Sequence, residues 1–379
     1  MARAMAGVFA GFVVVVLALG AAAASGPGNG PGPGGPGQDP AGNALMNRAQ
    51  ELNMFGQILL NETSFSGRYI GFSVEDGAIL NYTVQDSGTV LFEFVALEPF
   101  CCTGWSASGA VARVNGSTAV IMAHNNPAAV LHITKMQGAN MSARLTLGAG
   151  MTAVKHNSTG NIRISGALEA VVLVGGADSE INGSELLVSF GQSAGSLTVR
   201  VQPSGEQGLR LRAHEMAREG RLGGELDMVG ANGSHMESSW GYAHSTSMTV
   251  KAAGSGKMKV VVRAEYAEGM IFRIGIDRET MGVKEAKQLR ASLDGKTMKR
   301  VSAEELVRHQ LEKRERAAYC VEVGERSCEV LAYIPHFSEH ELSVEKITEP
   351  PASGIGGFEA LFIIAALCGA GAVALWRRR

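Results

Sequence analysis

An uncharged apolar run from Ala360 to Trp376, closed by Arg377-Arg378-Arg379, constrains this chain more than any other feature. At about 17 residues it reaches the lower limit for a helix that spans a bilayer. It carries no ion that would have to be paired or desolvated in hydrocarbon. Three terminal arginines resist translocation and hold the C-terminus on the cytoplasmic side. A helix over 358–379 is therefore expected in the membrane, with everything before Phe358 outside the cell. The rest of the chain must then fold as an ectodomain.

The other end agrees. Arg3 precedes an apolar core over Val8–Leu19, and Ala22-Ala23-Ala24 offers small residues for cleavage before Ser25. That is the pattern of a signal peptide over 1–24. Residues 25–43 are rich in Gly and Pro and are expected to form an extended tether. Near the other end, 348–357 reads as a linker. Pro350 and Pro351 there cannot donate to a ladder and restrict the residue before them.

Between these ends the chain is dense in acceptor sequons. Asn-x-Ser/Thr occurs at Asn61, Asn81, Asn115, Asn140, Asn157, Asn182 and Asn232, seven of the fourteen asparagines. Chance would place Ser or Thr there about twice. The set predicts a glycosylated surface, since such sites are modified where they are exposed.

Gly356-Gly357-Phe358, the apolar run and the terminal Arg377, Arg378 and Arg379 together resemble the Pro-Gly-Phe C-terminal sorting signal of archaeal cell-surface proteins. Here Gly-Gly-Phe stands in place of Pro-Gly-Phe, and the resemblance covers residues 354–379. It implies that an archaeosortase, a membrane transpeptidase with a catalytic cysteine, removes the tail and attaches a lipid. The segment from Ile334 to Ser338 also resembles the closing stretch of β-sandwich modules in large archaeal surface proteins.

Net charge is −2, with 34 basic and 36 acidic residues. No global field points to nucleic acid or to an acidic substrate. The distribution is uneven. Residues 105–200 hold about ten charged side chains, and 251–346 hold about 34. About 310 residues between tether and anchor suggest two domains. The boundaries expected are a β-rich glycosylated domain at 44–230 and a charged β/α domain at 231–347, divided in the Gly-rich stretch near Gly220–Gly233.

A helix is expected first, with Asn43 as its cap and Leu45, Ala49, Leu52, Phe55 and Leu59 on one face. Strand patterns follow at 69–74, 79–84, 90–95, 110–114, 118–123, 129–133, 143–147, 162–165, 168–174, 185–190 and 196–201. So many short strands predict a mainly β fold, a β-sandwich-like ectodomain, with a β-solenoid as the alternative. A polar helix is expected over 204–220, then strands at 247–252, 257–264 and 270–276.

The charged region predicts a smaller strand–helix–hairpin order. Ser302 to Glu305 forms a capping box, and the helix after it interleaves arginine and glutamate, a solvated ion-pair face rather than a nucleic-acid surface. A hairpin is expected around Gly324, with Cys320 and Cys328 placed symmetrically across it and joined by a disulfide. Cys101 and Cys102 are adjacent, and their pairing is left open by the sequence.

One motif has the look of catalysis. His336, Glu339 and His340 match an H-x-x-E-H arrangement, in which two histidines hold zinc and the glutamate activates its water. The flanking residues read as strands, so a turn with ordinary histidines is the expectation and His336, Glu339 and His340 are weak metal candidates. No phosphate loop, nucleophile elbow or Cys-x-x-Cys pair is present, and no cofactor is called for. Two function classes follow. One is a surface-anchored, glycosylated envelope protein with a scaffold, adhesion or binding role. The other is an anchored extracellular hydrolase, glycosidase-like or metal-dependent through the His336 motif.

Overall fold

A computed structural model describes residues 40–156, 159–202, 208–231, 234–242, 245–254, 256–264, 268–336 and 338–347. The expected signal peptide, most of the tether, the linker, the sorting signal at Gly356, Gly357, Phe358 and Arg377–Arg379, and sequons Asn157 and Asn232 lie outside them. Among the described residues no helix is long and apolar enough to cross a membrane. The described residues are mainly β, in four sheets, none closed into a barrel.

Two eight-stranded sheets form the first stack. Its outer sheet runs β1 (Leu59–Asn61), β2 (Ser64–Ser66), β3 (Ile70–Glu75), β4 (Ala78–Val84), β5 (Thr89–Glu98), β10 (Met141–Leu147), β15 (Glu185–Phe190), β14 (Ala177–Asn182). Its inner sheet runs β11 (Thr152–Lys155), β12 (Ile162–Ser165), β13 (Ala170–Gly175), β16 (Ser196–Val201), β9 (Val130–Lys135), β8 (Ala119–His124), β7 (Val111–Gly116), β6 (Cys102–Ser108). Strand alternation explains the pairing: in β10, Met141, Ala143, Leu145 and Leu147 point inward while Ser142, Arg144 and Thr146 point out. The shared core holds Phe65, Phe72, Tyr82, Phe92, Ile121, Leu131 and Val199. Phe65 and Phe72 stack with centroids 4.6 Å apart. The ladders of this stack are antiparallel, which excludes the β-solenoid alternative, whose coils pair in parallel.

The expected strand–helix–hairpin order is present in the second stack, as strand 299–300, helix 303–311 and hairpin 318–334, but it is embedded in a pair of sheets around its own core. The inner sheet runs β18 (Ser234–Gly241), β17 (Leu222–Ala231), β21 (Met270–Asp277), β26 (Ser327–Ile334), β25 (Ala318–Val323), β24 (Lys299–Arg300). The outer sheet runs β19 (Ser247–Gly254), β20 (Lys257–Arg263), β27 (Glu339–Lys346), β22 (Leu289–Leu293), β23 (Lys296–Thr297). Met228, Val260, Val262, Phe272, Ile274, Val330, Leu342 and Val344 fill the space between. The solvent side of the outer sheet is laced with cross-strand ion pairs: Lys259 to Glu341 at 2.7 Å, Arg263 to Glu339 at 2.5 Å, Arg290 to Glu345 at 2.6 Å.

The two stacks meet through their inner sheets. Helices α1 (Pro40–Glu51), α2 (Gly208–Arg218) and α4 (Ala303–Leu311) fill the join, while the one-turn α3 (Arg278–Met281) follows β21. Val130, Val171 and Leu173 of the first stack share a cluster with Leu209 and Met216 of α2, Leu306 of α4, and Ile271, Leu331 and Tyr333 of the second. Ser302 caps α4 as expected, its hydroxyl accepting the Glu305 N–H at 3.2 Å. Helix α1 starts at Pro40, inside the expected tether, and ends at Glu51, before Phe55 and Leu59. Proline fits a first turn because the donor it lacks has no intrahelical partner there.

Two further expectations change. The boundary at 230/231 falls inside the β17–β18 hairpin, whose strands both belong to the second stack, so the stacks divide in the α2 region instead. The hairpin around Gly324 has a different register: Val323 faces Cys328 and Cys320 faces Leu331. Cys320 and Cys328 are therefore an odd number of positions out of register and point to opposite faces of the sheet. Cys328 packs into the second core and Cys320 against the join, both as free thiols. The expected Cys320–Cys328 disulfide is not formed in this geometry.

Candidate functional site

The densest chemistry in the molecule is a charge network buried where the stacks meet. Strand β16 is covered on both faces: Leu197, Val199 and Val201 face the first core, and Arg200 points the other way into the join. The Arg200 side chain is 1% exposed. Its Nε donates to Glu225 Oε1 on β17 at 2.8 Å, and its Nη1 lies 2.8 Å from His214 Nδ1 on α2. Arg273 on β21 continues the chain, reaching Glu225 Oε2 at 3.0 Å, Asp227 Oδ1 at 2.8 Å and Glu329 Oε2 at 2.9 Å. Arg210 on α2 closes it with 2.7 Å to Glu329 Oε1. The Tyr242 hydroxyl also donates to Glu225, and Ser327 Oγ donates to Glu329 at 3.0 Å.

Register explains the arrangement. Glu225 and Asp227 are two apart on β17 and share a face, Arg273 lies beside Glu225, and Glu329 lies beside Gly275. Gly275 leaves the floor clear: a Cβ there would fall 2.1 Å from Asp227 Oδ1 and 2.8 Å from Arg273 Nη2. Three arginines meet three carboxylates, so the buried charge balances.

Burial alone would raise the Glu225 carboxyl, but Arg200 and Arg273 beside it draw it down to about 2. The Glu329 carboxyl resists the same burial and is lowered by Arg210 and Arg273. Burial wins at Asp227, whose carboxyl is raised despite Arg273 and Arg210. Burial and then the Arg200 charge depress the His214 imidazole to about 3. Burial likewise takes His124 to about 3. Further out on β18, burial pushes Glu237 up to about 7 although it accepts the Val250 N–H at 2.8 Å.

A cavity of about 10 Å³ touches this network, bordered by Asn126, Pro127, Arg210, Asp227, Trp240 and Arg273 among others. That is room for roughly one water molecule. Among the described residues Asn126 Oδ1 and Nδ2 and Trp240 Nε1 are buried without a protein partner. A space of this size takes no organic substrate, and each carboxylate is already held by an arginine. The chemistry available here is electrostatic fixation of one stack on the other.

A larger cleft of about 410 Å³ opens at the edge of the join between α2 and α4. Three carboxylates line it, each engaged. Glu322 accepts the Leu209 N–H at 2.9 Å, capping α2 from β25. Glu215 and Glu304 both pair with Arg212, at 2.8 and 3.4 Å.

The residues singled out in the sequence fall elsewhere. His336 is exposed in the turn after β26, while Glu339 and His340 open β27 as neighbours and so point to opposite faces. His340 Nδ1 lies 2.7 Å from Asp294 Oδ2, its Nε2 lies 2.9 Å from the His336 carbonyl oxygen, and Glu339 is taken by Arg263. His336, Glu339 and His340 thus do not converge on one point. Among the described residues no group of three or more His, Cys, Asp or Glu is placed to hold a metal ion.

Sequon asparagines Asn61, Asn81, Asn140 and Asn182 are exposed, and all lie on or immediately before strands of the outer sheet of the first stack. Asn115 lies on β7 of the inner sheet, half-buried, with Oδ1 accepting from Arg113 Nε at 2.7 Å. Cys101 is exposed and Cys102 partly buried, both free thiols. The charge network was not singled out from the sequence. Its signal was a lone charge inside an apolar strand, as at Arg200 in Leu197–Val201 and Arg273 in Met270–Ile276.

No protein-family model matches this chain, and no curated protein matches it. Among solved structures it is similar to a mutant of a glycoside hydrolase family 81 enzyme from Clostridium thermocellum, at 8% identity and a TM-score of 0.29. The alignment covers 82% of this chain and 38% of that enzyme. A likeness at that score assigns neither fold nor activity.

Proposed function

We propose that this chain is a surface-anchored, glycosylated envelope protein whose β-sandwich-like ectodomain serves as a scaffold, adhesion or binding module. In this reading residues 1–24 direct export and the start of the mature chain is a short tether. The 358–379 segment fixes the protein in the membrane or is exchanged for lipid by an archaeosortase-type enzyme. One observation carries it. The exposed sequons Asn61, Asn81, Asn140 and Asn182 gather on the sheet that faces away from the second stack, where an attached sugar meets no packing partner. The ion network supports the same reading, because it holds two stacks as one rigid element suited to display.

Mass spectrometry of the protein from its own cells tests this by reading both termini and the glycans together. The expected result is a mature N-terminus near Ser25, glycan on the outer-sheet asparagines, and recovery with membranes. Loss of the peptide containing Trp376 assigns tail processing, and its retention assigns a plain anchor. An unprocessed, unglycosylated chain beginning at Met1 and recovered away from membranes would overturn the proposal.

A further inference from the structure

The end of β27 is ringed by basic side chains. Lys346 closes the strand, and the Ile347 N–H donates to the Gln288 carbonyl oxygen at 2.7 Å, on the single turn of 3-10 helix at Ala286–Gln288. Lys284 precedes that turn and Lys287 stands on it, both exposed. Arg300 reaches over from β24, its Nη1 donating to the Ala286 carbonyl oxygen at 3.1 Å. Lys257 on β20 and Arg290 on β22 flank Glu345 from the two neighbouring strands, at 3.4 and 2.6 Å.

Six cations thus share this rim with two carboxylates, Glu345 and Glu285, the second paired with Lys287 at 3.0 Å. Asp277 and Glu279, beside α3 at the same end of the stack, do not offset the excess, because Arg48 holds both at 2.6 Å. Like charges fixed together by a fold repel one another unless a counter-charge is supplied from outside. The place of the rim says what supplies it. The chain leaves here toward the apolar run, and Phe358 is eleven residues on, a reach of at most about 40 Å. The intervening 348–357 adds one charge, Glu349. A basic cluster tethered so close to a bilayer is drawn to anionic headgroups, with an attraction that acts over roughly a Debye length, about 10 Å at 0.1 M salt.

We propose that this rim is a docking surface for anionic lipid headgroups of the membrane that anchors the chain, and that it lays this end of the second stack on the bilayer. This rests on the membrane-anchored reading and adds how the ectodomain meets the surface. The test uses full-length protein from its own cells, placed in vesicles of phosphatidylcholine alone or of equal parts phosphatidylcholine and phosphatidylglycerol. Flotation reads the anchor. Amine labelling, followed by peptide mass spectrometry, reads Lys284 and Lys287 at the rim. Lys313, paired with Glu268 at the other end of the stack, is the reference for an intact fold. Lys284 and Lys287 should label about twofold more slowly in the anionic vesicles, and raising salt from about 0.1 M to 1 M should abolish the difference. A Lys257→Glu, Arg300→Glu variant cancels the excess charge and should abolish it too, with Lys313 unchanged. Equal rates in both lipids while the protein floats overturn this inference and leave the anchor standing. Rates equal in both lipids that rise as the protein is diluted among vesicles assign the rim to a second copy and overturn it as well. A difference that survives in the variant removes the rim charge as its cause and also overturns it. Protein that floats with neither vesicle overturns the anchor and this inference together.

Discussion

The two stacks solve the same problem, an outer sheet facing water, with different surfaces. The outer sheet of the first carries Asn61, Asn81, Asn140 and Asn182, and the outer sheet of the second carries Lys259–Glu341, Arg263–Glu339 and Arg290–Glu345 pairs. Their inner sheets face each other, and there the chemistry is shared: Arg200 from the first stack pairs with Glu225 from the second. The ion pairs of the second outer sheet lie in the charge-dense part of the chain and stabilise a solvent-facing surface, whereas charge at the join reports assembly. A buried, balanced network contributes less to net stability than to fixing one arrangement, since a wrong docking would strand an ion.

The sharpest way to break the comparison is at the join. Arg273→Met leaves Glu225, Asp227 and Glu329 short of their central cation, and should cost about 3–5 kcal/mol, read by denaturant unfolding of the ectodomain. A loss below about 1 kcal/mol would show that these carboxylates do not depend on Arg273 for their compensation.

Acid should act at the same place. His214 and His124 sit near 3 in the folded chain and near 6.5 when unfolded. Both folded values are depressed, so the unfolded state takes up protons first, and stability present above about pH 6.5 is lost as pH falls toward 3. The low Glu225 value, near 2, adds loss below its unfolded pKa. Glu237, raised to about 7, works the other way and offsets part of the loss between about pH 7 and 4.5. Thermal melts across pH 3–7 should therefore fall, and His214→Gln should flatten the fall. An unchanged slope in that variant would remove the join from the acid response.

Gly275→Ala puts a methyl where Asp227 and Arg273 cross, and should cost about 1–3 kcal/mol. A neutral result would mean the network relaxes around the added carbon. Smaller in stability but specific to the first stack, removal of the outer-sheet sequons should lower its solubility and leave the second stack unaffected. Unchanged solubility would separate glycosylation from solvation. The smallest effect belongs to the second stack's surface: Lys259→Ala should shift the melting temperature by less than either change at the join, and the shift should shrink further in high salt.

Much of the strand pattern was readable. The stretches 162–165, 185–190 and 196–201 coincide with β12, β15 and β16, because bounded β-branched runs carry their own signal. The capping serine at 302 was readable for the same local reason. Strand β17 was not. Its Gly223, Gly224 and Gly230 read as part of a domain boundary, yet a Cβ at Gly223 would fall 2.6 Å from the Phe272 ring and one at Gly224 2.9 Å from the Trp240 carbonyl oxygen. Those glycines serve close packing, a property of partners distant in sequence. The hairpin at 318–334 was readable as a hairpin, but its four-residue turn moved the register by enough to part Cys320 from Cys328.

The sequence by itself determined the mainly β character, the positions of most strands in both stacks, the cap of α4 and the uneven spread of charge, all of which depend on neighbours a few residues apart. The tertiary structure decided where the stacks divide, that the second region is a pair of sheets, that His336, Glu339 and His340 diverge, and that Arg200, Arg210, Arg273, Glu225, Asp227 and Glu329 meet. Those outcomes depend on which sheet faces cover one another. A lone arginine in an apolar strand becomes a clamp or a surface charge only when the opposite sheet arrives with its carboxylates.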